Sequence, residues 1–263
     1  MLGRAGLIAR VLLIGLGLGL ADDLARAAGA PVSSVRVVAR FPHDPDAFTQ
    51  GLVIAGGDLY EGTGRYGQSS LRRVDLETGR VLEQVVLPDH WFGEGITDWR
   101  GELIQLTWRA GVGLRYDRRS LEPRERFRIK GEGWGLTQDG RHWIMSDGSA
   151  ELRFLDPTDG RELRRLQVME GDKPIQQLNE LEYLRNEIWA NLWYQDVLVR
   201  IDPSDGRVLG YIDLSDLWPA DQPRRSEQVL NGIAFDADSG RLFVTGKCWP
   251  WLYQVEVVGG LPD

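Results

Sequence analysis

The chain has 263 residues, with 31 Lys+Arg against 39 Asp+Glu, a formal net charge of −8, and only three His and one Cys beside ten Trp and 32 Gly. The acidic balance argues against nucleic acid as a partner, because no basic stripe is available to displace phosphate counterions. The single Cys248 excludes an internal disulfide framework and a thiolate-rich metal site, and the scattered His43, His90 and His142 argue against a histidine-built zinc centre.

Residues 1–30 read as a secretory signal: Arg4 and Arg10, then the apolar run from Val11 to Ala21, then a small-residue stretch containing Ala25-Arg26-Ala27. The run falls short of the ~20 apolar residues that a bilayer span needs. An uncleaved anchor is the alternative; the charges of Asp22, Asp23 and Arg26 directly after the run favour a signal. A mature chain beginning between residues 22 and 32 is expected, working in the periplasm or secreted, with no membrane contact beyond that segment. Residues 31–263 are then one catalytic domain, expected to be a monomer.

A short pattern recurs through that domain: a polar or aromatic residue, usually a small residue, then an aliphatic one. It stands at Gln50-Gly51-Leu52, Glu94-Gly95-Ile96, Trp134-Gly135-Leu136, Asn179-Glu180-Leu181 and Asn231-Gly232-Ile233, at spacings of 44, 40, 45 and 52. Each copy is followed by a turn and a β-prone run, such as Leu103–Leu106 or Leu242–Val244. A third run follows, and in three copies it ends in a Gly-containing hairpin signal: Thr78-Gly79, Asp159-Gly160 and Asp205-Gly206. A fourth run closes each unit. Four antiparallel strands in ~40–45 residues, repeated, describe propeller blades. The expectation is all-β: a five-bladed β-propeller of four-stranded antiparallel blades. The last copy lacks its fourth strand, which the early run Val35–Ala39 supplies to close the ring. A β-sandwich has no reason to repeat one pattern five times.

In a blade the start of the first strand and the end of the second lie at the same mouth of the channel. The first-strand column gives Gln50, Glu94, Trp134, Asn179 and Asn231; the second-strand column gives Gly64, Trp108, Gly148, Trp193 and Lys247. One opening thus gathers a Glu, a Gln, two Asn, three Trp and a Lys, a binding site by composition. The other seven tryptophans (Trp91, Trp99, Trp143, Trp189, Trp218, Trp249 and Trp251) are expected in packing between blades. Asn231 is as suited to tying blades together as to touching a ligand. Glu94, a carboxylate between glycines with indoles around it, is a candidate proton shuttle; burial raises its pKa and Lys247 lowers it.

Ten short motifs in order, among them Phe48-Thr49-Gln50-Gly51-Leu52, Phe92-Gly93-Glu94-Gly95-Ile96-Thr97, Gly131-Glu132-Gly133-Trp134-Gly135-Leu136, Leu178-Asn179-Glu180-Leu181-Glu182 and Val244-Thr245-Gly246-Lys247, resemble the plant-type glutaminyl-peptide cyclotransferases (glutaminyl cyclases), including bacterial secreted members. The likeness runs from about residue 40 to 258. It implies a five-bladed propeller that cyclises the N-terminal glutamine of peptides or proteins to pyroglutamate and releases ammonia. It also implies Glu94 as the acid/base carboxylate, with Gln50, Trp108, Trp134, Asn179, Trp193 and Lys247 in the substrate pocket and Phe48 beside them. Lys247, with an indole N–H or the Asn179 amide, is expected to stabilise the developing oxyanion. No metal or other cofactor is required on this reading; a structural cation in the channel stays open. Two other functions remain: a calcium-dependent propeller lactonase with Glu94, Asn179 and Asn231 as oxygen ligands, and a non-catalytic peptide-binding propeller.

Overall fold

A computed structural model describes residues 29–259, so all but the end of the expected signal segment lies outside the described residues. Five four-stranded antiparallel sheets, in chain order, form the five blades of a β-propeller. Their first strands are Thr49–Ala55, Gly93–Trp99, Leu136–Gln138, Leu178–Leu184 and Leu230–Asp236. These innermost strands are buried almost throughout, whereas an outer strand such as Val81–Val86 alternates between half-buried and exposed positions. That difference is what a sheet standing radially on an axis requires. The fifth blade, Leu230–Asp236, Arg241–Gly246 and Trp251–Val257, is completed by Val35–Pro42 pairing antiparallel to Trp251–Val257. The expected ring closure is therefore present.

Five apolar clusters fill the five spaces between neighbouring blades. Trp91 joins the first and second blades, Trp99 and Trp143 the second and third, and Trp189 and Trp249 the fourth and fifth. Trp218 and Trp251 pack against that last cluster, so all seven tryptophans assigned to packing lie in these interfaces. Near the axis the blades approach so closely that backbone meets backbone: Gly95 N–H donates to the Trp134 carbonyl at 2.7 Å. A Cβ on Gly95 would lie 2.5 Å from that same oxygen, and one on Gly135 would fall on the Asn179 carbonyl. This contact explains the small residue in the repeated pattern.

The fourth blade breaks the pattern with Glu180, and the exception has a use. Its carboxyl crosses the channel, accepting the Leu52 N–H at 3.3 Å and the Ile233 N–H at 2.8 Å, and so ties three blades together. The outer hairpins close through the expected Gly-containing turns. Asp75, Asp156 and Asp202 each anchor a loop by accepting the backbone N–H and hydroxyl of Thr78, Thr158 and Ser204. Gly79, Gly160 and Gly206 then supply the left-handed residue, with φ of 68°, 75° and 79°. Beyond the repeat, Val32–Ser33 adds a parallel strand outside Val208–Asp213, Met169–Glu170 pairs with Lys173–Pro174, and Ser215–Leu217 forms a 3₁₀ turn.

Candidate active site

The mouth of the channel is shaped by β-bulges. In blades one, two, four and five the pairing of the first two strands shifts register at the patterned residue, between Thr49 and Gly51, Gly93 and Ile96, Leu178 and Leu181, and Leu230 and Ile233. A bulge leaves one residue out of the ladder and re-aims its side chain. Here it frees Gln50, Glu94 and Asn179 to face the opening. The second strands end opposite, where the N–H groups of Gly64, Trp108, Trp193 and Lys247 donate to the carbonyls of Phe48, Phe92, Gln177 and Val229 at 2.8, 3.0, 2.9 and 2.9 Å. The two columns read from the sequence therefore meet in space.

Between them lies a cavity of about 210 Å³ lined by Phe48, Gln50, Phe92, Glu94, Trp108, Trp134, Asn179, Trp193 and Lys247. Eight of these nine were candidate site residues. Phe92 was not, although it stands two positions before Glu94 as Phe48 stands two before Gln50, a register that would have found it. Asn231 is the candidate that does not line the cavity. Its amide is turned sideways, donating to the Thr49 carbonyl at 3.0 Å and to Gln50 Oε1 at 3.4 Å. It therefore sits behind Gln50 and holds it.

The walls are rings in edge-to-face contact. Trp134 and Trp193 have centroids 5.2 Å apart and planes at 88°, and Phe92 meets Trp108 at 5.6 Å. Glu132, unremarked in the sequence, joins the two halves. Its Oε2 accepts Trp108 Nε1–H at 2.7 Å and Trp134 Nε1–H at 3.1 Å, while Oε1 accepts Arg109 Nε–H at 2.8 Å. Despite partial burial, these donors hold its carboxyl below the ordinary range. Two of the three indole N–H groups are thus committed and unavailable to an oxyanion; only that of Trp193 finds no protein acceptor among the described residues.

Glu94 and Lys247 are each only 4% exposed. Neither side chain has a hydrogen-bond or ion-pair partner among the described residues, and both face the cavity. Burial pushes the Glu94 carboxyl well above the ordinary range; Lys247 opposes that shift and the charge of Glu132 adds to it. Burial lowers the Lys247 ammonium to about 8, against the pull of Glu94. Its Nζ stands 4.8 Å from the centre of the Phe48 ring and 6.0 Å from that of Trp193. An acid and a base held dry without partners are arranged for a guest that completes them. Beneath them, the buried His43 Nε2 meets Glu61 Oε1 at 3.0 Å and its Nδ1 meets the Trp249 carbonyl at 2.6 Å. This pair braces the loop that follows Lys247.

Fold and site together define a β-propeller whose axial mouth closes over a pocket for one residue, walled by indoles and carrying one carboxyl and one ammonium. A family model described as glutamine cyclotransferase matches residues 10–257. The glutaminyl-peptide cyclotransferase of Arabidopsis thaliana is 46% identical over 231 residues, covering 86% of this chain and 72% of that protein. The crystal structure of Myxococcus xanthus glutaminyl cyclase superposes with a TM-score of 0.83 at 35% identity, over 89% of this chain and all of that one. The chain belongs to the glutamine cyclotransferase family.

Proposed function

We propose that this chain is a glutaminyl-peptide cyclotransferase, turning the N-terminal glutamine of peptides or proteins into pyroglutamate with release of ammonia, and that Glu94 moves the proton. The carrying observation is the buried, unpartnered Glu94 carboxyl facing a one-residue cavity opposite Lys247. Nucleophile and electrophile belong to the same residue, so the barrier is largely that of curling the side chain back and managing protons. The indole walls favour that curled geometry over the extended one, which is an entropic contribution to rate.

The α-amine attacks the carbon of its own γ-carboxamide, a C–N bond forms, and the carbonyl oxygen becomes an oxyanion. Glu94 takes the proton that the amine sheds and gives it to the departing nitrogen, which leaves as NH₃ when the old C–N bond breaks. A carboxyl raised out of its ordinary range is a stronger base than an ordinary carboxylate, which suits it to take the proton from the amine and pass it to the departing nitrogen. Lys247, with the Asn179 amide or Trp193 N–H, stabilises the oxyanion; one such donor is worth about 3–4 kcal/mol. Gln50, held by Asn231, keeps its amide N–H₂ free for the substrate. These steps use side chains alone, all from one chain.

A calcium-dependent lactonase is disfavoured by the same geometry: Asn231 is committed to Thr49 and Gln50, and the ammonium of Lys247 shares the cavity with the remaining donors. The proposed place of work, the periplasm or the medium, rests on the sequence of residues 1–30; no helix among the described residues is long and apolar enough to cross a membrane. Incubation with a short Gln-initiated peptide tests the reading, by ammonia release and a mass loss of one NH₃. Glu94→Gln is expected to remove nearly all turnover while the peptide still binds. Full turnover by that variant would exclude Glu94 as the shuttle, and binding without turnover by the unaltered protein would mark a peptide-binding module.

A further inference from the structure

The cavity takes one residue, and consecutive Cα atoms are only ~3.8 Å apart, so the second residue of a bound peptide must lie at the mouth. Among the described residues two aromatic side chains are largely exposed, Tyr66 at 53% and Tyr194 at 65%. Both follow a second strand into this mouth, Tyr66 after Asp58–Thr63 and Tyr194 after Glu187–Leu192, and each abuts a ring of the cavity wall. Tyr66 meets Phe92 edge-on, at 5.4 Å and 74°. Tyr194 leans against Trp193 in a tilted pair, at 4.5 Å and 30°. The indole face that walls the cavity is thereby continued outward onto the surface.

The backbone at Tyr194 is left-handed, with φ of +66°. That conformation suits Gly or Asn and is costly for a bulky side chain. Strain of this kind persists where a site needs a side chain in that place. A polar side chain would tolerate the exposure better, and Asn the backbone; Tyr satisfies neither preference. What it does is offer an open ring beside the point where the peptide leaves the cavity.

We propose that Tyr194 is the platform for the second residue of the substrate, and that the enzyme prefers peptides in which the glutamine is followed by an aromatic or large aliphatic side chain. The inference rests on the cyclotransferase reading above and narrows its substrate class. The rim makes the residue after the glutamine part of the recognition.

The test compares kcat/KM for Gln-Phe-Ala-amide and Gln-Gly-Ala-amide. A ring pair contributes enough for a Phe:Gly preference of about three- to tenfold in the unaltered enzyme. Tyr194→Asn removes the ring but keeps a residue at home in the left-handed conformation, and should bring the ratio close to one whatever its absolute rate. Tyr194→Phe keeps the ring and should keep the preference. A ratio near one in the unaltered enzyme, alongside brisk pyroglutamate formation, overturns this proposal alone, as does an undiminished ratio in Tyr194→Asn. Absence of pyroglutamate from both peptides overturns the cyclotransferase reading and this one with it.

Discussion

Glu132 touches neither the Glu94 carboxyl nor Lys247, yet one of its oxygens holds two walls of the pocket. Its replacement by Ala frees the Trp108 and Trp134 indoles from their common acceptor. Hydrogen bonds to a charged partner are worth ~1.5–3 kcal/mol each. Water replaces part of that at a half-exposed position, so the lower figure is apt, about 3 kcal/mol for the two. The Arg109 pair adds little, because both its partners are well exposed. If the lost order falls on the curled substrate, kcat/KM drops roughly a hundredfold, at about 1.4 kcal/mol per factor of ten. Glu132→Gln, which keeps one carbonyl acceptor, should lose about tenfold. Both variants also remove a negative charge that raises the Glu94 pKa, so the acidic limb of the kcat profile should move to lower pH. Steady-state ammonia release, the pH profile and the near-UV circular dichroism of the indoles measure the three effects. Glu132→Ala with kcat/KM within threefold of the unaltered enzyme and unchanged near-UV bands would refute the reasoning.

Three further outcomes follow from the same structure. Lys247 loses its proton near pH 8, so kcat should fall above that pH; Lys247→Met should lower kcat by ~10²–10³ and abolish this alkaline limb in a pH–rate series. The buried His43–Glu61 pair should matter for stability: His43→Ala takes one partner from a buried Glu61 that keeps Thr49 Oγ1–H at 2.7 Å and Arg72 at 3.7 Å, and should cost ~1.5–3 kcal/mol, read as a lower urea midpoint. Burial alone would lower the His43 pKa, but Glu61 raises it above 6.5, so its contribution is complete below 6.5 and lost as pH rises through the raised value. For Glu61, burial is outweighed by His43 and its pKa lies below 4.5, so that contribution is present above 4.5 and lost as pH falls through the lowered value. Gly135→Ala would drive a methyl group into the Asn179 carbonyl; a loss of at least ~1–3 kcal/mol, by the same urea titration, should accompany weakened activity.

The blade count, the closing strand and the facing columns were legible because a propeller repeats one register, and the register carries position with it. Gln50, Glu94, Trp108, Trp134, Asn179, Trp193 and Lys247 could be brought to one mouth by counting alone. What counting misses is where a bulge sends a side chain. Asn231 shares the column but faces its neighbour Gln50, because the local turn of the backbone, not the repeat, decides its direction. Glu132 escaped for another reason: besides Trp134, two residues on, it accepts from Trp108 on the neighbouring blade, and that second contact has no local signature. The crossing carboxyl of Glu180 appeared in the sequence only as a departure from a small residue.

The closing strand has a bearing on time as well as shape. Val35–Pro42 pairs with Trp251–Val257, a segment far from it in sequence, and the blade they complete is the one whose second strand leads directly to Lys247. A folding chain cannot finish that wall of the pocket until these two strands meet, and contacts so distant in sequence form slowly. Until then the waiting strand edge is adhesive. Ring closure therefore works as a latch: the wall that carries Lys247 is set only when this pairing has formed.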